Sequence, residues 1–171
     1  MLNIRNATAA RKAFAQIIAD ARRYDPRAEL QGVSVQQMIR GAHEVIVGMA
    51  HDPDFGPGIV LGWGGIFVEV LQDTVWRMPP LMAADARAMI DALKGVAILK
   101  GARGAKPADL AALVKTLTAF SQLCEDLSAD VREIDINPVV VLPQGEGVRA
   151  LDCLILRVKG EAAALKLDDV V

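Results

Sequence analysis

At 171 residues, with 53% of them hydrophobic, the chain is long enough to bury a core and too apolar for a disordered or solvating segment. A formal net charge of −2 leaves no basic footprint for a nucleic acid or an anionic membrane, and no apolar run approaches the roughly 20 residues that span a bilayer. The two cysteines, Cys124 and Cys153, lack CxxC spacing and read as core thiols, so a reducing cytoplasm is the expected setting.

The opening "LNIRN" reads as a strand end running straight into a helix, as if part of a larger fold preceded it. From Thr8 to about Tyr24, Ala10, Phe14, Ile17, Ile18 and Ala21 recur at helical spacing, which predicts an amphipathic helix that lays its stripe on a sheet. Asp25-Pro26 stops it. "GVSVQQMI" from Gly32 and "HEVIVGMA" from His43 read as two strands joined by a short turn around Arg40-Gly41, a hairpin. The turn-rich "HDPDFGPG" leads to a short strand, Ile59-Val60-Leu61, which breaks at Gly62-Trp63-Gly64-Gly65. "IFVEVL" and "TVWRM" follow as strands about a tight turn at Gln72-Asp73.

After Pro79-Pro80 the periodicity turns helical. "MAADARAMIDALKG" carries Met82, Ala86, Met89, Ile90 and Leu93 on one face, with Gly95 as its C-cap, and a second helix starts at Pro107 and runs to about Leu127. "VREIDINPVVVL" and "VRALDCLILRV", joined by the five-residue loop Pro143 to Gly147, form a closing hairpin. The order predicts an α+β fold, a largely antiparallel sheet with helices packed on it and a C-terminal β-hairpin, over residues 1–158, with 159–171 as a tail.

Within that hairpin, "EIDINPVVV" sets Asp135 and Asn137 in a β-branched run, and an unpaired buried polar group costs about 1–3 kcal/mol. Two residues apart on a strand, they share one face, while Ile134 and Ile136 share the other. Folding the hairpin symmetrically about Gly145 opposes Asn137 to Asp152 or Cys153. An amide oxygen beside a carboxylate on a rigid sheet suits a hard cation such as Mg²⁺, which accepts oxygen ligands and keeps waters and substrate phosphates. An equally bland reading stands beside it: Asn137 serves the turn before Pro138, and Asp152 faces solvent. Glu44 alone reads as an exposed strand residue, and Gly62 to Gly65 as a bend or bulge that matches no phosphate-loop pattern. His43 and His51 are too few for a metal cluster, and no Ser/His/Asp arrangement marks a nucleophilic hydrolase.

Four segments in order, "GVSVQQMIRGAHEVIVGMAHDPDFGP", "LGWGGIFVEVLQDTVWRMPPL", "LKGARGAKPADL" and "EIDINPVVVLPQGEGVRALD", together resemble the ATP-grasp domain of the nucleoside-diphosphate-forming acyl-CoA synthetases, relatives of the succinyl-CoA synthetase β subunit. The resemblance runs from about Leu2 to Ile155. It implies that Asn137 and Asp152 ligate Mg²⁺ and that Asp135 helps position a phosphohistidine loop from a partner module. Glu44 matches the glutamate that binds the ribose hydroxyls, and Gln36, Gln37 and Met38 match the strand whose backbone reads adenine, with Gln37 where many ATP-grasp enzymes carry a glutamate. Gly64, Gly65 and Arg77 match a phosphate-side segment; Lys100 and Arg103 fall in the "KGYRG" motif, here with Ala102 at the aromatic position.

The family's first lobe, with its ATP-binding lysine, has no counterpart in this chain, and neither histidine sits in the context of the phosphorylated one. The resemblance therefore implies an ATP/ADP-binding lobe that needs a first lobe and a CoA-binding module, inactive as an isolated piece, in an enzyme that interconverts acyl-CoA, ADP and phosphate with carboxylate, ATP and CoA. Two alternatives stand beside it: a non-catalytic nucleotide-binding or regulatory lobe, as in an acetyltransferase fusion, and a different ATP-grasp ligase.

Overall fold

The computed structural model describes residues 1–39, 43–52, 54–65 and 73–158. They fall into two compact units, Met1–Arg40 and Gly41–Val171, each treated by itself. The predicted strand 66–71, its turn at Gln72, the turn at Arg40-Gly41 and the tail 159–171 lie outside the described residues.

In the first unit, helix α1 spans Ala7–Tyr24, capped by the Asn6 side chain, which accepts from the Ala9 amide at 2.8 Å. Ala13 is its buried residue; of the predicted stripe Ile17, Ile18 and Ala21 are half-buried, while Ala10 is exposed and Phe14 keeps 51% of its surface exposed. Residues 28–39 carry no regular secondary structure, so the strand predicted from Gly32 is absent.

The second unit is built around a central strand. Strand β1 (His43–Asp52) is hydrogen-bonded along one edge to β2 (Gly56–Trp63) and along the other to β4 (Val131–Val141), both antiparallel. Both edges of β1 are thus occupied within the second unit. Strand β3 (Thr74–Arg77) pairs with the far edge of β2, while β5 (Val148–Ala150) and β6 (Cys153–Arg157) share the far edge of β4. Among the described residues these six strands make one antiparallel sheet.

Side-chain alternation then splits the sheet into two unlike faces. Val45, Val47 and Met49 of β1, Ile59, Leu61 and Trp63 of β2, and Ile134, Val139 and Val141 of β4 are all buried in one core. Helices α2 (Ala83–Ala92) and α4 (Leu110–Leu127) cover it with Ala86, Met89 and Ile90, and with Leu113, Leu117 and Phe120. Gly95 does not cap α2, which ends at Leu93; it is the N-cap of the short helix α3 (Val96–Leu99), where a Cβ would strike the Trp63 indole. Pro107 precedes α4 by three residues, and the N-cap is Asp109.

Asp109 is 8% exposed. Its carboxylate accepts from the amides of Ala112, Gly145 and Gly147, each at 3.0 Å. The Ala112 amide is the main cause that holds this carboxyl below its ordinary range; burial opposes, and the Gly147 and Gly145 amides and the Lys115 charge assist. A folded-state value below the unfolded one contributes stability that is present above the unfolded value, near pH ~4, and is lost as pH falls through the folded one. The stability gap between wild type and Asp109→Asn should therefore be widest near neutrality and close in acid; urea titrations along a pH series read it, and a constant gap would contradict it. In the core, Leu117 is fully buried, and Leu117→Ala should cost about 2–5 kcal/mol in the same assay.

Candidate functional site on the open face of the sheet

The face opposite the helices carries Glu44, Ile46, Gly48 and Ala50 on β1, fixed by alternation with the buried Val45, Val47 and Met49. Cross-strand partners share a face, so Asp135, opposite Gly48, belongs to it, as do Val60 and Gly62 on β2. Gly48, Gly58, Gly62 and Gly64 all lie on this face and are all buried. Period-two glycine in a strand leaves a surface that another backbone or a flat ligand can approach closely, a pattern the sequence displays and that the reading of its motifs passed over. A Cβ at Gly48 would stand 3.1 Å from the Ile134 carbonyl oxygen, and one at Gly58 would enter the ring of Trp76, which lies across it.

Glu44, at the start of β1, meets Gly64 and Gly65 at the end of β2. The Gly64 amide donates to the Glu44 carbonyl oxygen at 2.8 Å, and a Cβ at Gly65 would collide with the Glu44 carboxylate. These two glycines therefore seat an exposed carboxylate, and the Gly64 amide is engaged by backbone, not turned toward a phosphate.

The hairpin register resolves the second cluster. Ile136 opposes Cys153 and Val139 opposes Ala150, so Asn137 faces Asp152, with the Asn137 amide donating to the Asp152 carbonyl oxygen at 3.2 Å. Both side chains are exposed. The strand predicted as one piece from Val148 is interrupted at Leu151-Asp152, across from Pro138, which has no N–H for the ladder. On its other edge β4 bulges at the same place: Val45 pairs with Val139 but Val47 with Ile136, so Asn137 and Pro138 together oppose Ile46. Core-facing positions switch there from Ile134 and Ile136 to Val139 and Val141. The Asn137-Pro138 peptide is cis.

Cys153 reports the charge at this spot. Its thiol is pushed up by burial first, then by the negative charges of Asp152 and Asp135, which places both carboxylates within electrostatic reach of one sulfur. It is not the core thiol expected of it, since β6 leaves it exposed; Cys124 is buried in α4, and burial raises it to about 12. Among the described residues no three His, Cys, Asp or Glu side chains form a cage for a metal. The donors on offer, one amide oxygen and one or two carboxylates open to solvent, match a hard cation whose shell is completed by water and phosphate oxygens.

The remaining predicted residues lie elsewhere. Lys100 follows α3 in the helical layer, its Nζ 2.7 Å from the Asp91 carboxylate of α2, on the side of the sheet away from Glu44 and Asn137. Arg103 falls in the 3₁₀ turn Ala102–Gly104 that follows. Arg77, paired with the buried Ile59, is on the helix side by alternation, exposed at the sheet edge. Gln36, Gln37 and Met38 belong to the first unit and are exposed, without strand structure. The structure thus brings together Glu44 with Gly64 and Gly65, and Asp135 with Asn137 and Asp152. The residue that sequence reading missed is Asp109, visible only as an acidic residue just after a proline at a helix start.

No helix among the described residues is long and apolar enough to cross a membrane. The ATP-grasp domain family matches residues 1–156. The β subunit of acetate–CoA ligase (ADP-forming) II from Pyrococcus furiosus is 44% identical over 156 residues, which are 91% of this chain and 66% of that protein. A crystal structure of a Pyrococcus horikoshii Ot3 protein superimposes with a TM-score of 0.83 at 42% identity, over 94% of this chain and 67% of that one. Acetyl-coenzyme A synthetase 1 of Ca. Korarchaeum cryptofilum, solved with coenzyme A and Mg-AMPPCP and with its phosphohistidine segment pointing towards the nucleotide binding site, gives a TM-score of 0.79 at 31% identity. That match covers 92% of this chain and 67% of that one. The chain spans about two thirds of the length of the relatives described. With one family covering residues 1–156, and with the six-stranded antiparallel sheet backed by helices, the chain belongs to the ATP-grasp domain family.

Proposed function

We propose that this chain is the nucleotide- and Mg²⁺-binding lobe of an NDP-forming acyl-CoA synthetase, an acid–thiol ligase that, with a first lobe and a CoA-binding module, converts acyl-CoA, ADP and phosphate to carboxylate, ATP and CoA. The observation that carries the reading is the opposition of Asn137 and Asp152 across the β4 bulge, on the glycine-lined face that also presents Glu44 and Asp135. The 44% identity to an ADP-forming acetate–CoA ligase subunit supports it.

Each side chain has a task its chemistry suits. The Glu44 carboxylate, an acceptor on both oxygens, takes the ribose hydroxyls. Asn137 and Asp152 would hold Mg²⁺, which when bound would neutralise the charge of the nucleotide phosphates. Acyl-CoA and phosphate yield CoA and an acyl phosphate on the partner module; a histidine there takes the phosphoryl group, releases the carboxylate, and delivers the group to ADP at this face. Asp135, on the same face as Asn137, orients the arriving histidine segment. Because phosphoryl transfer demands little covalent chemistry of the protein, holding donor and acceptor in line supplies most of the rate. Lys100, held by Asp91, and Arg77 lie on the other face of the sheet.

In the complete protein that carries this chain, assayed with its CoA module, Asp152→Ala should lower ATP formation at limiting Mg²⁺ by about tenfold or more, with partial recovery as Mg²⁺ is raised. An unchanged rate would remove the metal assignment. Nucleotide binding without any turnover in the wild type would instead identify a regulatory lobe.

A further inference from the structure

We propose that Asp109 is the positioning residue of the Asn137–Asp152 pair: its carboxylate ties the 143–147 loop to the N-terminus of α4 and so sets the register in which the two side chains oppose each other. The functional half of this rests on the cation reading above; the structural half does not.

The loop carries two bonds of its own, from the Glu146 amide to the Pro143 carbonyl oxygen at 2.9 Å and from the Leu142 amide to that of Gly147 at 3.0 Å. Gly145 and Gly147 both adopt left-handed backbone, with φ of 88° and 85°, and their amides converge on one oxygen of Asp109, while the other oxygen caps α4 through Ala112. The neighbours of Asp109 extend the attachment. The Asp109 amide donates to the Leu142 carbonyl oxygen at 2.8 Å, the Gln144 amide donates to that of Pro107 at 2.9 Å, and Ala108 forms a bridge with Pro143. The far end of the hairpin is thus docked on the segment that starts a core helix.

Register in a hairpin follows from its loop, and a slip of one residue moves every side chain of a strand to the other face. Between the loop and Asn137 the ladder has only three pairs, Val141 with Val148, Val140 with Arg149 and Val139 with Ala150, before Pro138 removes a donor. Beyond it, β6 is exposed along its whole length, so burial does little to pin the strand. A slip by one residue would carry Asp152 away from Asn137. An anchored loop prevents it, and a carboxylate is needed because a single oxygen cannot cap the helix and hold two loop amides together.

The test separates capping from anchoring. In Asp109→Ser the hydroxyl still caps α4 but is too short to reach the loop. In the complete protein, hydrogen exchange should quicken about tenfold at the Asn137 and Leu151 amides, which bond across the interruption, and stay unchanged at β1 amides paired with β2. Affinity for Mn²⁺–ADP, followed by the Mn²⁺ EPR signal, should fall about tenfold, as in other supporting positions behind a metal site. Asp109→Asn, with one acceptor oxygen left, should fall between. A folded Ser variant, judged by helical circular dichroism, with both amides as protected as in wild type overturns the proposal; so does quickened exchange with unchanged affinity, if Asp152→Ala weakens binding. If Asp152→Ala leaves Mn²⁺–ADP binding unchanged, the cation reading fails, and exchange at the two amides alone decides whether Asp109 sets the register.

Discussion

Strand β1 is hydrogen-bonded along both edges, and everything else in the second unit is arranged around that constraint. A strand with no free edge and strict side-chain alternation must send Val45, Val47 and Met49 one way and Glu44, Ile46 and Gly48 the other. The first set, with its neighbours on β2 and β4, is apolar enough to hold two helices by burial. The second set needs no helix: its glycines are covered by neighbouring strands, Gly48 by the Ile134 backbone, Gly58 by the Trp76 ring and Gly62 by Thr74, and its carboxylate rests on the Gly64-Gly65 turn. One ladder thus gives stability to one face and leaves the other open for a ligand.

The open face would still be featureless without the bulge in β4. Two residues, Asn137 and Pro138, occupy the space that Ile46 takes on β1, and the inward set of β4 shifts by one residue across them. Valines can therefore be buried on both sides of the bulge while a polar pair is presented at it. Pro138 also interrupts the ladder on the other edge, so that Asp152 falls in a gap between two strands, not within a continuous one.

Charge follows the same division. The carboxylates of Asp135 and Asp152 act together on the Cys153 thiol, which marks a negative locus suited to a cation between protein and phosphate. Of the basic residues, Lys100, paired with Asp91, and Arg77 are on the helical side, while Arg149 is exposed on the open face, opposite Val140, which itself opposes Glu44.

The sequence by itself determined what depends on neighbours along the chain. Helical periodicity placed α1, α2 and α4; β-branched runs placed β1, β2, β3 and β4; and a five-residue glycine loop limited the partner of Asn137 to Asp152 or Cys153. The three-dimensional structure chose Asp152 and also decided what depends on distant partners. Residues 32–39 have the composition of a strand yet carry no regular secondary structure, and β1 takes β4, more than eighty residues on, as one of its two neighbours. Lys100 sits in a motif that reads as phosphate-binding, yet a helix packed nine residues earlier supplies its counter-ion. Asp109 looks like any capping residue until the loop of a strand pair, more than thirty residues on, brings two amides to it. Local propensity and loop length act over a few residues and are legible one residue at a time; edge occupancy, ion pairing and anchoring are settled only when the sheet closes, because each is a competition between segments that the sequence keeps apart.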